Sequence, residues 1–192
     1  IKKEINMINL KPADLEDRKK AYQWLYFSDF SSFLKEMDSS DSISTMQEFE
    51  EDYEDFFFDD SYPEKGRAYL IIREEGSVLE EIGFISYTAF HLIRGIAEID
   101  IWLKSLEYTV RGYGREAIKL LTQKLFQEEF KTLIIRPCLK NVRAVNSYKK
   151  TGFKETSFKP EYYKREYIHE FAAGDCKDGE DMFMELKNSD TS

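Results

Sequence analysis

Val110-Arg111-Gly112-Tyr113-Gly114-Arg115-Glu116-Ala117 is a glycine turn at the head of a helix. Further along runs Asn141-Val142-Arg143-Ala144-Val145-Asn146-Ser147-Tyr148, continuing into Lys150-Thr151-Gly152-Phe153. These two pieces decide how the chain is read. Glycines let a backbone approach a ligand closely and adopt positive φ. A helix that begins there leaves N–H groups and a positive dipole end, which suits a pyrophosphate. Arg111 and Arg115 flank the turn and can add charge-assisted contacts. The second piece sets Asn141, Ala144 and Tyr148 at i, i+3 and i+7, on one helix face. Asn141 and Tyr148 are then roughly 10 Å apart along the axis, with a small Ala between them. A plainer reading of the same residues has Asn141 as an N-cap and Tyr148 as a core aromatic.

Working outward, Ile96 to Leu103 alternates. Ile99, Ile101 and Leu103 face one way, and Glu98, Asp100 and Trp102 the other. Ala68 to Arg73 and Ile82 to Phe90 read as earlier strands, separated by the turn chemistry of Glu74-Glu75-Gly76-Ser77. A first strand is expected over Ile5 to Leu10. A helix follows Pro12 and Asp14, and another spans about Thr45 to Phe58. After the glycine turn come a helix to Gln127, a buried strand over Thr132 to Arg136 and the Asn141 to Lys150 helix. Strands over Phe153 to Phe158 and Met182 to Leu186 close the chain. This order predicts an α/β protein with a mixed central sheet and helices on both faces, forming a single domain over residues 1–192.

The string Gly112-x-Gly114-x-x-Ala117 also fits a dinucleotide fingerprint. Eight residues separate Leu103 from Gly112, however, whereas that fold joins strand to helix directly. The stretch about twenty residues further on is the apolar Leu133-Ile134-Ile135 rather than an acidic strand end.

Net charge is −9 over 192 residues, which argues against a nucleic-acid partner. No apolar run is long enough for a membrane span. Ile1-Lys2-Lys3-Glu4 lacks the apolar stretch of a secretory signal. Cys138 and Cys176 have no metal-site or framework spacing, so both are expected as free thiols in a reducing cytoplasm. His91 and His169 are expected to be structural or surface residues, and no metal site is expected. From Glu36 to Asp60 the chain carries eleven carboxylates and no Lys or Arg. Such a segment attracts a cation, or is simply a solvated acidic face.

The order of an alternating strand, a G-x-G turn opening a helix, a buried strand and N-x-x-A-x-x-x-Y-x-K-x-G-F resembles the GCN5-related N-acetyltransferase (GNAT) superfamily. The second motif is matched by Asn141, Ala144, Tyr148, Lys150, Gly152 and Phe153. Within the superfamily the chain is nearest in appearance to the aminoglycoside and ribosomal-protein N-acetyltransferases. The resemblance implies acetyl-CoA as co-substrate. Its pyrophosphate would rest on Arg111, Gly112, Tyr113, Gly114 and Arg115, and its pantetheine arm along Trp102, Leu103 and Lys104. Asn141 and Ala144 would line it, with Tyr148 near the sulfur. The family places Arg or Gln three residues before the first glycine, and Thr109 stands there; Arg111 is the nearest substitute.

Transfer to an amine needs a proton acceptor, because an alkylamine has a pKa of about 10. Asp100 is the expected base, Glu98 its competitor and Tyr148 the acid for the thiolate. A backbone N–H at Trp102 or Leu103 would serve the oxyanion. The acceptor is expected to be a cationic small molecule, aminoglycoside-like or a polyamine, drawn by the 36–60 segment. Alternatives are N-terminal acetylation of a protein such as a ribosomal protein, and a non-catalytic acyl-CoA-binding or interaction module. A homodimer is left open.

Overall fold

The computed structural model describes residues 7–29, 43–157, 162–165 and 181–189. The strands are β1 (Met7–Pro12), β2 (Gly66–Glu75), β3 (Val78–Thr88), β4 (Ile96–Leu103), β5 (Thr132–Ile135), β6 (Lys154–Glu155) and β7 (Met184–Lys187). The α-helices are α1 (Asp17–Tyr26), α2 (Met46–Asp52), α3 (Tyr113–Gln127) and α4 (Val142–Lys150). The strands form one seven-stranded sheet in the order β1-β2-β3-β4-β5-β7-β6. Only β4 and β5 run parallel; every other neighbouring pair is antiparallel. This is the mixed α/β sheet that the element order predicts.

Two apolar layers cover the sheet. One contains Ile85, Ile99 and Leu103 from the strands, with Ala117, Ile118 and Leu121 from α3 and Tyr148 from α4. The other contains Leu70, Phe84 and Trp102 from the strands, with Ala21 from α1 and Phe49 from α2. The period-2 pattern of β4 thus sends Ile99 and Leu103 into the α3/α4 layer and Trp102 into the α1/α2 layer.

The expected helix over Thr45 to Phe58 is broken. Thr45 and Glu48 form a capping box that starts α2 well. The helix stops at Tyr53, whose backbone leaves the helical region, and a 3-10 turn covers Asp55–Phe58. Glu50 and Glu54, and Glu51 and Asp55, would be like-charge neighbours one turn apart in a continued helix. Acidic residues at its end would also oppose the dipole. Arg18 of α1 fills the break instead, bonding Asp55 at 2.7 Å, Glu50 at 3.3 Å and the Tyr53 carbonyl at 3.3 Å.

The free-thiol expectation is corrected: Cys138 is disulfide-bonded. It lies buried just past β5, where the returning chain pairs Asp181 with it. That juxtaposition comes from β7 running back along β5, which Cys spacing could not reveal. Cys176 and His169 lie outside the described residues, as do residues 30–42 of the acidic segment. The thiol argument for a reducing compartment therefore falls. Among the described residues no helix is long and apolar enough to cross a membrane.

Candidate active site

β4 pairs with β3 from Glu98 to Leu103 but with β5 only from Ile96 to Glu98, which is opposite Ile134. Beyond that point β5 ends, and its last residue, Ile135, pairs away from β4 with Met184. A seam therefore opens beside Ile99 to Leu103. The ladder fixes which backbone groups face it. The Lys104 N–H bonds Ile82 O at 2.9 Å, on the β3 side. Hydrogen-bonded residues alternate along an antiparallel pair, so the amides of Asp100 and Trp102 also aim at β3, and those of Ile101 and Leu103 aim at the seam. Of the expected contacts at Trp102 to Lys104, Leu103 offers its N–H there. The Trp102 indole is a core group that donates to Ala21 O at 3.1 Å, and Lys104 Nζ pairs with Glu80 at 3.0 Å.

The two candidate carboxylates sit on the same face but in different surroundings. Glu98 is gripped by Arg136, with Nε at 2.6 Å and Nη2 at 3.1 Å, and lies 3.6 Å from His91 Nε2. Burial pushes Glu98 upward, but the nearby His91 imidazole and the Arg136 charge outweigh it and hold the carboxyl below its ordinary range. Asp100 has a hydroxyl for a partner instead of a cation: Tyr53 donates to Oδ2 at 2.5 Å. Burial raises the Asp100 carboxyl most, and the Glu98 charge adds to it. The bonds from Tyr53 and the Ile101 N–H, with the more distant Arg136, only partly offset them, so it titrates above the usual carboxylate range. Asp100 keeps part of its surface open. A partly accessible carboxylate with raised basicity is suited to general-base work, whereas an acid locked on Arg136 is suited to holding structure.

The glycine turn is shaped as its residues dictate. Gly112 is the N-cap of α3 at φ 89°. Val110 also lies at positive φ, 56°, a costly conformation for a β-branched residue. Such strain concentrates at ligand clamps. The first intrahelical bond runs from Glu116 N to Gly112 O, so the N–H groups of Gly114 and Arg115 have no acceptor within the helix. The Arg115 guanidinium lies over Gly112, 3.1 Å from where a Cβ would be. Arg111 Nε folds back on Glu107 O at 2.8 Å. Tyr113 points inward, into the core, where its hydroxyl meets Arg73. The guanidinium reaching Thr109 is that of Arg143, whose Nη1 is 3.2 Å from the hydroxyl. Arg143 thus brings a cation from α4 to the place where Thr109 departs from the family pattern.

On α4, Asn141 is the N-cap, accepting from Ala144 N at 3.0 Å. Tyr148 is buried, and Ala144 packs beside it against the α3/α4 layer. Ala144 and Tyr148 share the face turned to that layer, and Asn141 stands just outside the helix as its cap, as the plainer reading of the spacing had it. Asp100 shares a face of β4 with Trp102, on the α1/α2 side of the sheet, and Tyr148 lies on the α3/α4 side.

Tyr53, Arg136, His91 and Arg143 were not among the residues singled out for chemistry. A charged residue at the end of the buried strand Thr132 to Ile135 was a usable signal for Arg136. Tyr53 and His91 reach the site through tertiary packing alone.

A family model described as Acetyltransferase (GNAT) domain matches residues 8–154. A sequence comparison with curated proteins gives no match. Solved structures share the fold at low identity. One is a domain from Methanocaldococcus jannaschii DSM 2661, with TM-score 0.66 and 14% identity over 96% of this chain and 100% of that one. Another is the spermidine N-acetyltransferase of Vibrio cholerae in complex with CoA and spermine, with TM-score 0.65 and 17% identity over 95% and 96%. A third is an aminoglycoside acetyltransferase in complex with coenzyme A and kanamycin, with TM-score 0.61 and 17% identity over 94% and 95%. The match to the family model spans most of the sequence, and the chain belongs to the GNAT acetyltransferase family.

Proposed function

We propose that this protein is an N-acetyltransferase that moves acetyl from acetyl-CoA to a primary amine of a cationic small molecule, a polyamine or an aminoglycoside-like compound. The observation that carries this is Asp100, a carboxylate of raised basicity beside the seam where β4 loses its partner strand. Solved relatives of the fold bind CoA together with spermine or kanamycin. The chain's own residues fit the co-substrate. The strained turn from Val110 to Gly112, the N–H groups of Gly114 and Arg115, and the guanidinium groups of Arg111, Arg115 and Arg143 suit a diphosphate.

Asp100 takes one proton from the acceptor's ammonium group. The amine then forms the new N–C bond as the C–S bond breaks. Tyr148 gives its proton to the departing sulfur and regains one from the nitrogen. The Leu103 N–H, aimed at the seam, stabilises the negative charge that builds on the acyl oxygen. The second acid, Glu98, stays ionised on Arg136 and fixes the floor of the site.

The acidic face contributes less charge than its sequence suggests, because Arg18 neutralises part of it. Glu51, Asp52, Glu54 and Asp59 remain exposed around Tyr53. The test is a thiol-release assay with acetyl-CoA over polyamines, aminoglycosides, neutral amines and free N-terminal peptides at two salt concentrations. Cationic acceptors are expected to turn over fastest and to lose rate with salt. Rates indifferent to acceptor charge would remove the electrostatic part of the proposal.

A further inference from the structure

Tyr53 sits where α2 breaks, and the break aims it. Its backbone leaves the helix with φ −117° and ψ 73°, while Arg18 holds its carbonyl. The ring is wedged among Phe49, Phe57, Phe84 and Trp102, with centroids 4.9 to 5.8 Å away. Only the hydroxyl emerges from this apolar packing. It lies 2.5 Å from Asp100 Oδ2 and 3.4 Å from Ser86 Oγ on the neighbouring strand.

We infer that Tyr53 is a positioning residue for the transfer reaction, clamping Asp100 through Oδ2 so that the other carboxylate oxygen takes the proton of the acceptor amine. The inference rests on the acetyltransferase reading above. Burial and the neighbouring Asp100 charge hold the Tyr53 phenol well above its ordinary range, so it stays a donor at every working pH. Charged and titratable groups reach Asp100 from several elements among the described residues. Glu98, on its own strand, raises it, and Arg136, beyond β5, lowers it. From α1, Tyr26 lies close enough to feel the Asp100 charge. Asp52, on α2, acts on both Tyr26 and Tyr53. Tyr53 is the only hydroxyl among the described residues that bonds the Asp100 carboxylate directly.

The test compares Tyr53→Phe with wild type in two measurements. The first is the pH profile of kcat/KM on the best amine. Losing a donor to the charged form raises the Asp100 pKa, so the acid limb moves to higher pH, by roughly one unit for a hydrogen bond to a charged group. Below the limb, activity falls roughly tenfold, while the KM for acetyl-CoA is unchanged. The second is titration of the Asp100 carboxyl by carbon-13 NMR in the free protein, which needs no substrate. Ser86→Ala, which removes the other partner of the phenol, gives a smaller shift of the same sign and serves if Tyr53→Phe does not fold. An acid limb that stays put in a folded Tyr53→Phe overturns the inference. So does a carboxyl that titrates alike in both proteins. If wild type acetylates no amine, the acetyltransferase reading fails, and the NMR titration still decides whether the clamp exists.

Discussion

Replacing Asp100 with asparagine keeps the shape of the side chain and removes its ability to take a proton. Tyr53 can still donate to the remaining oxygen, so the aromatic packing around it is left in place. A positioned general base contributes about 10² to 10⁴ in rate, equivalent to about 3 to 5 kcal/mol of barrier. The thiol-release rate at saturating acetyl-CoA should fall by that factor. Stability should move the other way. Folding raises the Asp100 pKa, so this group favours the native state only while protonated, below its unfolded value, and that contribution is lost as pH rises through the folded value. At neutral pH the ionised carboxylate is therefore a cost of the fold, and its removal should raise the melting temperature. A variant with less than tenfold loss of rate, or one that melts lower at neutral pH, would refute this account of Asp100.

Glu98→Gln should do the opposite. It takes the Glu98 carboxylate away from the buried Arg136 guanidinium and should destabilise by about 3 kcal/mol in a denaturant titration, the scale for breaking a buried pair. The Glu98 pKa is lowered on folding, so its contribution is present at neutral pH and should disappear as the pH falls through its depressed value in the acid range. Gly112→Ala places a side chain at φ 89° and 3.1 Å from the Arg115 guanidinium; it should cost about 1 to 2 kcal/mol of stability and raise the KM for acetyl-CoA. Gly114→Ala, whose Cβ would meet Ile101 at an ordinary 3.8 Å, should leave stability nearly unchanged, as thermal melting of the pair will show. Arg143→Ala should raise the KM for acetyl-CoA by roughly fivefold or less, as suits an exposed charge, with kcat unchanged and the effect shrinking in salt.

The elements from Ile96 onward were readable because local pattern and tertiary packing agree there. The alternation of β4 gives the face of Asp100, and the spacing on α4 gives the shared face of Ala144 and Tyr148. The Thr45 to Phe58 helix misled because its aromatic spacing is helical while its charge pattern is not, and Arg18, supplied by another helix, decides where it breaks. The choice between Glu98 and Asp100 could not be made from β4 alone. It depends on Arg136, His91 and Tyr53, which the folded chain brings from three other segments. Sequence distance likewise hid the approach of the returning C-terminal segment to Cys138.

Every step proposed above needs an acyl-CoA held by the seam beside Leu103 and the turn at Gly112. Calorimetric titration with coenzyme A tests this most directly, with the melting temperature followed in parallel. Saturable heat at a one-to-one ratio and a rising melting temperature are predicted, both weakened in Gly112→Ala. No heat and an unmoved melting temperature would contradict the claim.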